Sequence, residues 1–169
     1  HHRVIYMNTF GKTMAPAIRI NYMILPEKLA EDCKKMAGRF PSPVPSFEQY
    51  VMARFIKEGY FERHIRRMKA YYEAKGQKLI GLLQKTKKIP IKEIRGGKHG
   101  THILLKLNIE LTDTELIWES KRYGIGIQCL SQFCTEREER YEHTLVINYA
   151  SLKEEQLEEA VRRLEKIFG

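Results

Sequence analysis

The chain has 169 residues, 43% hydrophobic and 30% charged, and its 30 lysines and arginines against 21 aspartates and glutamates leave a formal net charge of +9. That length makes one domain or a piece of a larger one, and the apolar fraction excludes a disordered chain. No run approaches the roughly 18 apolar residues of a membrane span, and His1-His2-Arg3 lacks a signal peptide's apolar core. The odd set Cys33, Cys129 and Cys134 argues against a disulfide framework, so a cytoplasmic protein with reduced thiols is expected.

In chain order, Val4 to Phe10 and Ile18 to Leu25 read as short strands around an irregular turn that carries Lys12 and Pro16. Pro26 opens a helix to about Ala37, with Leu29, Cys33 and Met36 on one face. The prolines at 41, 43 and 45 force a loop. Ser46 then N-caps a helix, with Gln49 completing a capping box, and Gly59 ends it. From Tyr60 to Gln84 the apolar positions Phe61, Ile65, Met68, Tyr72, Leu79 and Leu83 keep a helical period over about 37 Å at 1.5 Å per residue, which predicts a continuous helix whose one place for a bend is near Gly76. Beyond it come strands near Lys92 to Ile94, His102 to Leu107, Gly126 to Leu130 and Thr144 to Tyr149. A helix starting at the Thr112…Glu115 box and stopping at Gly124, and one starting at Ser151…Glu154, cover that sheet. The last helix should bury Leu157, Val161, Leu164 and Phe168.

The charge crowds into Arg63 to Lys88. A basic helical nucleic-acid-binding domain is one reading of it, and a solvated helix face is the other. No zinc finger, RNA-binding sheet motif or basic zipper accompanies it. His99 with His102, and Cys129, Cys134 and His143, lack metal-ligand spacing, so no metal site is expected.

The stretch from Asn8 to Tyr22 carries the most chemistry. A lysine in a tight turn between two buried strands is costly unless its amine is used, and Arg19 in an apolar strand needs an anionic partner. One lysine to take an aldehyde and one arginine to hold a phosphate suit pyridoxal phosphate. A turn lysine beside a salt-bridged arginine fits the same spacing.

Residues 8–22 resemble the active-site lysine segment of fold-type I pyridoxal-phosphate enzymes, in the form T-F-S-K-T-L-A-P-G-L-R-I-G-Y found in MocR-subfamily, GntR-type transcriptional regulators. The likeness continues through Phe47-Glu48-Gln49-Tyr50 and Ala53-Arg54-Phe55-Ile56. It is sharpest at Glu58-Gly59-Tyr60-Phe61-Glu62-Arg63-His64-Ile65-Arg66-Arg67-Met68, which is similar to the subfamily's linker helix. Gly100-Thr101-His102-Ile103-Leu104-Leu105 and Asn148-Tyr149-Ala150-Ser151-Leu152 are similar to small-domain segments.

The resemblance implies an α+β fold. Residues 1–59 would end the large cofactor-binding domain, 60–88 would be a linker helix and 89–169 a C-terminal small domain. It makes Lys12 the Schiff-base lysine and Arg19 and Thr9 ligands of the cofactor phosphate. Gly11 departs from the family's serine and Asn21 from its glycine, which puts the strength of phosphate binding in question. The family's ring-stacking aromatic, pyridine-bonding aspartate and winged-helix DNA-binding domain all precede the lysine segment. A C-terminal fragment is therefore expected, with pyridoxal phosphate held in the intact parent and weakly or not at all by this chain. His1-His2 fits a native stretch or a tag remnant.

Two further positions separate regulator from enzyme. Gln132 stands where many subfamily members carry an arginine suited to an effector carboxylate, and Val146 stands where the aminotransferases carry the arginine of R-I-S-F-A. A transaminase must hold its amino acid's carboxylate through two half-reactions, and neither arginine is present. The expectation is an effector-sensing module of a regulator, with Gln132 facing an amino-acid-like effector, DNA bound through the winged helix, and homodimerisation. A catalytic aminotransferase of the two-aminoadipate type is the alternative. His64, within Arg63-His64-Ile65, is expected to serve structure rather than catalysis.

Overall fold

The computed structural model describes residues 3–15, 17–136 and 138–169. His1, His2 and Pro16, singled out above, lie outside the described residues. The architecture is mixed α+β, and the chain divides into two units, residues up to 67 and residues 68–169.

The first unit begins with an antiparallel hairpin of β1 (Tyr6–Thr9) and β2 (Asn21–Ile24), in which Tyr6 pairs with Ile24 and Thr9 with Asn21. Both strands are shorter than the sequence suggests, and Arg19 lies outside β2. They are also not buried: β2 is exposed throughout and β1 nearly so. Helix α1 (Glu27–Ala37) starts after Pro26 as expected, since a proline costs nothing at a helix start. Its apolar face is nonetheless bare, because Leu29, Cys33 and Met36 are all exposed.

Helix α2 (Ser46–Lys57) corrects the capping assignment, because Pro45 is its N-cap and Ser46 makes no cap bond. Gln49 instead turns back, its Nε2 donating to the Val44 carbonyl at 2.8 Å and to Ser42 Oγ at 3.2 Å. At the other end Gly59 has φ +74°, the left-handed residue that lets the chain leave α2 and start α3. Helix α3 (Tyr60–Lys85) is continuous and runs through the boundary between the units.

The second unit holds the sheet. Strands β3 (Ile91–Gly96), β4 (His102–Leu107) and β5 (Thr144–Asn148) pair antiparallel in the order β3-β4-β5. The expected fourth strand, Gly126 to Leu130, is reduced to one bridge from Cys129 to Leu145 and a Val146 N–H bond to the Gln128 carbonyl. The reason is local: a 3-10 helix already begins at Leu130.

Helix α4 (Asp113–Arg122) carries the expected box, with Thr112 Oγ1 accepting from Glu115 N–H and the Glu115 carboxylate accepting from Thr112 N–H. The Thr112 hydroxyl, which also donates to that carboxylate, and the Thr112 backbone N–H together hold the Glu115 carboxyl below its ordinary range. Helix α5 (Gln156–Phe168) starts four residues later than a cap at Ser151 suggests. Its first turn is tied instead by Gln156 Oε1, which accepts from Lys153 N–H.

Ile103, Leu105, Leu107 and Leu145, on one face of the sheet, meet Leu79 and Leu83 of α3, Leu116 of α4 and Leu157, Val161 and Leu164 of α5. Gly76, the place named for any bend in α3, is a packing position. A Cβ there would stand 2.8 Å from Tyr149 Oη and 3.0 Å from the Gly97 carbonyl, so only glycine allows α3 this close.

Candidate functional site

The lysine turn closes the β1–β2 hairpin. Phe10 N–H donates to the Ile20 carbonyl at 3.0 Å and extends the ladder past Thr9 and Asn21. The chain then folds back tightly, with Thr13 N–H and Met14 N–H both donating to the Phe10 carbonyl, at 3.1 and 2.9 Å, and Ile18 N–H donating to the Ala15 carbonyl at 2.9 Å. Gly11 sits where that fold is tightest, since a Cβ on it would lie 2.9 Å from the Ile18 carbonyl oxygen. The departure from serine at this position therefore has a steric reason in this chain.

Three expected cofactor residues share this closed end. Lys12 and Arg19 are exposed, and neither has a hydrogen-bond or ion-pair partner among the described residues. Arg19, expected within an apolar strand, lies instead just before β2 and is exposed, and the alternative of a salt-bridged arginine finds no ion pair among the described residues. Thr9 is half-buried, and its Oγ1 accepts from Gly11 N–H at 3.2 Å and faces the Ile20 carbonyl at 3.5 Å.

The first turns of α3 hold this turn. Phe61 meets Phe10 edge-to-face with ring centroids 5.5 Å apart, and Tyr22 lies 5.1 Å from Phe10 on the neighbouring strand. His64, three residues along the same helix face, directs Nε2 to the Thr13 carbonyl at 3.0 Å. Sequence reasoning assigned His64 to structure but could not name its partner, which lies 51 positions away. The basic residues of α3 contribute little here: Arg66 pairs with Glu62 in solvent, and Arg63 lies over the Tyr60 ring at 5.0 Å.

The fourth expected residue, Gln132, belongs to the second unit, in the 3-10 helix Leu130–Phe133. Its Oε1 accepts from Cys129 N–H at 3.0 Å, so that oxygen shapes its own loop. Asp113 anchors the same loop from the start of α4, accepting from Ser131 Oγ and, at 2.8 Å, from His143 N–H. His143 itself takes φ +54°. Cys129 is fully buried beneath, and burial, with Asp113 adding to it, pushes its thiol up to about 12, which makes it inert at neutral pH. Among the described residues no group of three histidines, cysteines or acids is placed to hold a metal.

Comparison with known proteins shows the family. Residues 1–164 match the model for aminotransferase class I and II, and the chain belongs to that family. It is 31% identical to the uncharacterized HTH-type transcriptional regulator YdeL of Bacillus subtilis (strain 168), across 97% of this chain and 35% of the relative. It is 30% identical to the probable rhizopine catabolism regulatory protein MocR of Rhizobium meliloti, across 98% of this chain and 33% of the relative. The chain thus spans about a third of the length of these relatives. Among solved structures, Pyrococcus horikoshii kynurenine aminotransferase shares the fold, with a TM-score of 0.83 at 21% identity over 99% of this chain and 41% of that one.

Proposed function

We propose that this chain supplies the lysine segment and small domain of a pyridoxal-phosphate-binding, aminotransferase-like sensing module in a GntR/MocR-type transcriptional regulator. The observation that carries the reading is the pair of exposed cations, Lys12 and Arg19, at the closed end of one hairpin, neither with a partner among the described residues. The donor set fits the cofactor: a primary amine for an aldehyde, a guanidinium fork for a dianionic phosphate, and the Thr9 hydroxyl of the same hairpin end. Bound there, pyridoxal phosphate supplies an electrophilic carbonyl that an amino acid can compete for. Lys12 would hold the cofactor through its amine and Arg19 would balance the phosphate charge, both carried by the turn that Gly11 keeps tight.

A regulator is favoured over a transaminase because Val146 and Gln132 stand at the two positions where the resemblance calls for an arginine. An aliphatic side chain in β5 and an amide whose oxygen is already bonded to Cys129 N–H give a carboxylate no cationic fork. On this reading residues 1–59 end the large domain, 60–88 link the domains and 89–169 form the small domain. The partners are an amino-acid-like effector, a second copy of the protein, and DNA bound through a helix-turn-helix domain. The setting is cytoplasmic, and among the described residues no helix is long and apolar enough to cross a membrane.

The test is absorption spectroscopy of the intact protein with added pyridoxal phosphate, followed by addition of amino acids with a 2-oxo acid. The reading expects a visible band that Lys12→Ala abolishes and that amino acids perturb without net conversion of the oxo acid. Steady turnover would assign the protein to the catalytic aminotransferases. A band that survives Lys12→Ala would contradict the lysine assignment.

A further inference from the structure

We propose that His64 is a positioning residue for Lys12: its Nε2–H, donated to the Thr13 carbonyl, clamps the turn from which the lysine projects. The inference rests on the cofactor reading for its purpose, but the clamp itself is a matter of geometry. The hairpin is exposed on β1 and β2, so within its unit the strands alone hold the turn weakly; a two-stranded ribbon is marginal in water. What fixes the turn is α3. Phe61 packs on Phe10 just before Lys12, and His64 bonds Thr13 just after it, so one helix face brackets the lysine from both sides.

The chemistry of the bond defines the role. A carbonyl oxygen has no proton, so Nε2 must carry it, as the neutral Nε2–H tautomer or as imidazolium. Thr13 N–H already donates to the Phe10 carbonyl, which leaves its carbonyl as the group through which the far side of the turn can be held. Fixing that peptide plane limits rotation one residue beyond Lys12 and narrows the directions its amine can take. His64 touches neither Lys12 nor Arg19 in any bond of the structure, so it acts through the backbone.

Two variants separate this clamp from mere packing. Gln at position 64 reaches with an N–H donor to about where Nε2 lies, whereas leucine fills similar space and donates nothing. Hydrogen exchange at the Thr13 and Met14 amides of the intact protein should quicken about tenfold in His64→Leu and stay near the wild-type rate in His64→Gln, as expected for one lost hydrogen bond. In parallel, the rate at which pyridoxal phosphate develops the Lys12-dependent visible band should fall several-fold in the leucine variant and recover in the glutamine one. Equal behaviour of the two variants in exchange, whether both protected or both fast, would overturn the clamp. Exchange that follows the expected pattern with an unaltered rate of band formation would overturn the positioning role. If Lys12→Ala leaves the band intact, the cofactor reading and the purpose built on it fail together, while the exchange pattern still decides whether the clamp exists.

Discussion

The two units of the chain differ in what holds them. The second closes a core in which Leu83, Ile103, Leu105, Leu116, Leu145, Tyr149 and Leu157 are fully buried. The first buries one described residue, Met52, while Phe40, Phe47 and Tyr50 are each more than 70% exposed. Yet the chemistry-bearing side chains Lys12 and Arg19 lie in the unit without a core. A folded scaffold and a reactive segment are thus separate problems in this sequence. The first is solved by burying apolar surface at about 25 cal/mol per Å². The second rests on a hairpin held by a few hydrogen bonds and three aromatic contacts.

Substitutions measured by chemical denaturation of the 169-residue chain can break that comparison. The largest effect is expected for Leu105→Ala, about 3 kcal/mol of lost stability, because a leucine between sheet and helices leaves a cavity. A loss below about 1 kcal/mol would mean that the second unit's core is looser than it looks. Next comes Gly76→Ala. Alanine ordinarily improves a helix by about 1 kcal/mol, but here its Cβ would press on the Gly97 carbonyl and Tyr149, so a net loss of about 1–2 kcal/mol is expected.

Thr112→Ala should cost about 1 kcal/mol at neutral pH by removing the α4 cap. The deficit should narrow in acid. Glu115 has a depressed folded pKa, so its contribution is present above the ordinary value of 4.5 and is lost as pH falls through the folded value. Smallest of all are Phe47→Ala in the first unit and Arg66→Ala on α3, each expected to stay within about 0.5 kcal/mol because both side chains lie in solvent. A large loss at Phe47 would show that this exposed α2 side chain is covered in solution.

The sequence is most informative where the signal is local. The Thr112…Glu115 box, the Pro26 start and the Gly59 stop each name a backbone need that neighbouring residues meet, and the structure has all three. Local signals also mislead, since Ser151…Glu154 has a box's spacing while α5 begins only at Gln156, after an N-cap Glu155 that makes no side-chain cap bond. Gly126 to Leu130 alternates like a strand but is cut short by a 3-10 turn. The amphipathic α1 shows that one face needs cover, without naming what supplies it. Lys12 and Arg19 stand out by residue type, although only family resemblance gives them roles. The hold of His64 on Thr13, and the reason for Gly76, depend on residues far along the chain and have no pattern in the sequence.

The central claim, that Lys12 is the amine this protein offers to an aldehyde-bearing anionic cofactor, is tested most directly by site mapping. The intact protein is equilibrated with pyridoxal phosphate at one equivalent, reduced with borohydride and digested, and the labelled peptide is identified by mass spectrometry. The account predicts one dominant label, on Lys12, that is sharply reduced in Arg19→Ala. Label spread over exposed lysines such as Lys28, Lys34 and Lys69 in proportion to their accessibility, with Lys12 no more reactive than the rest, would contradict it.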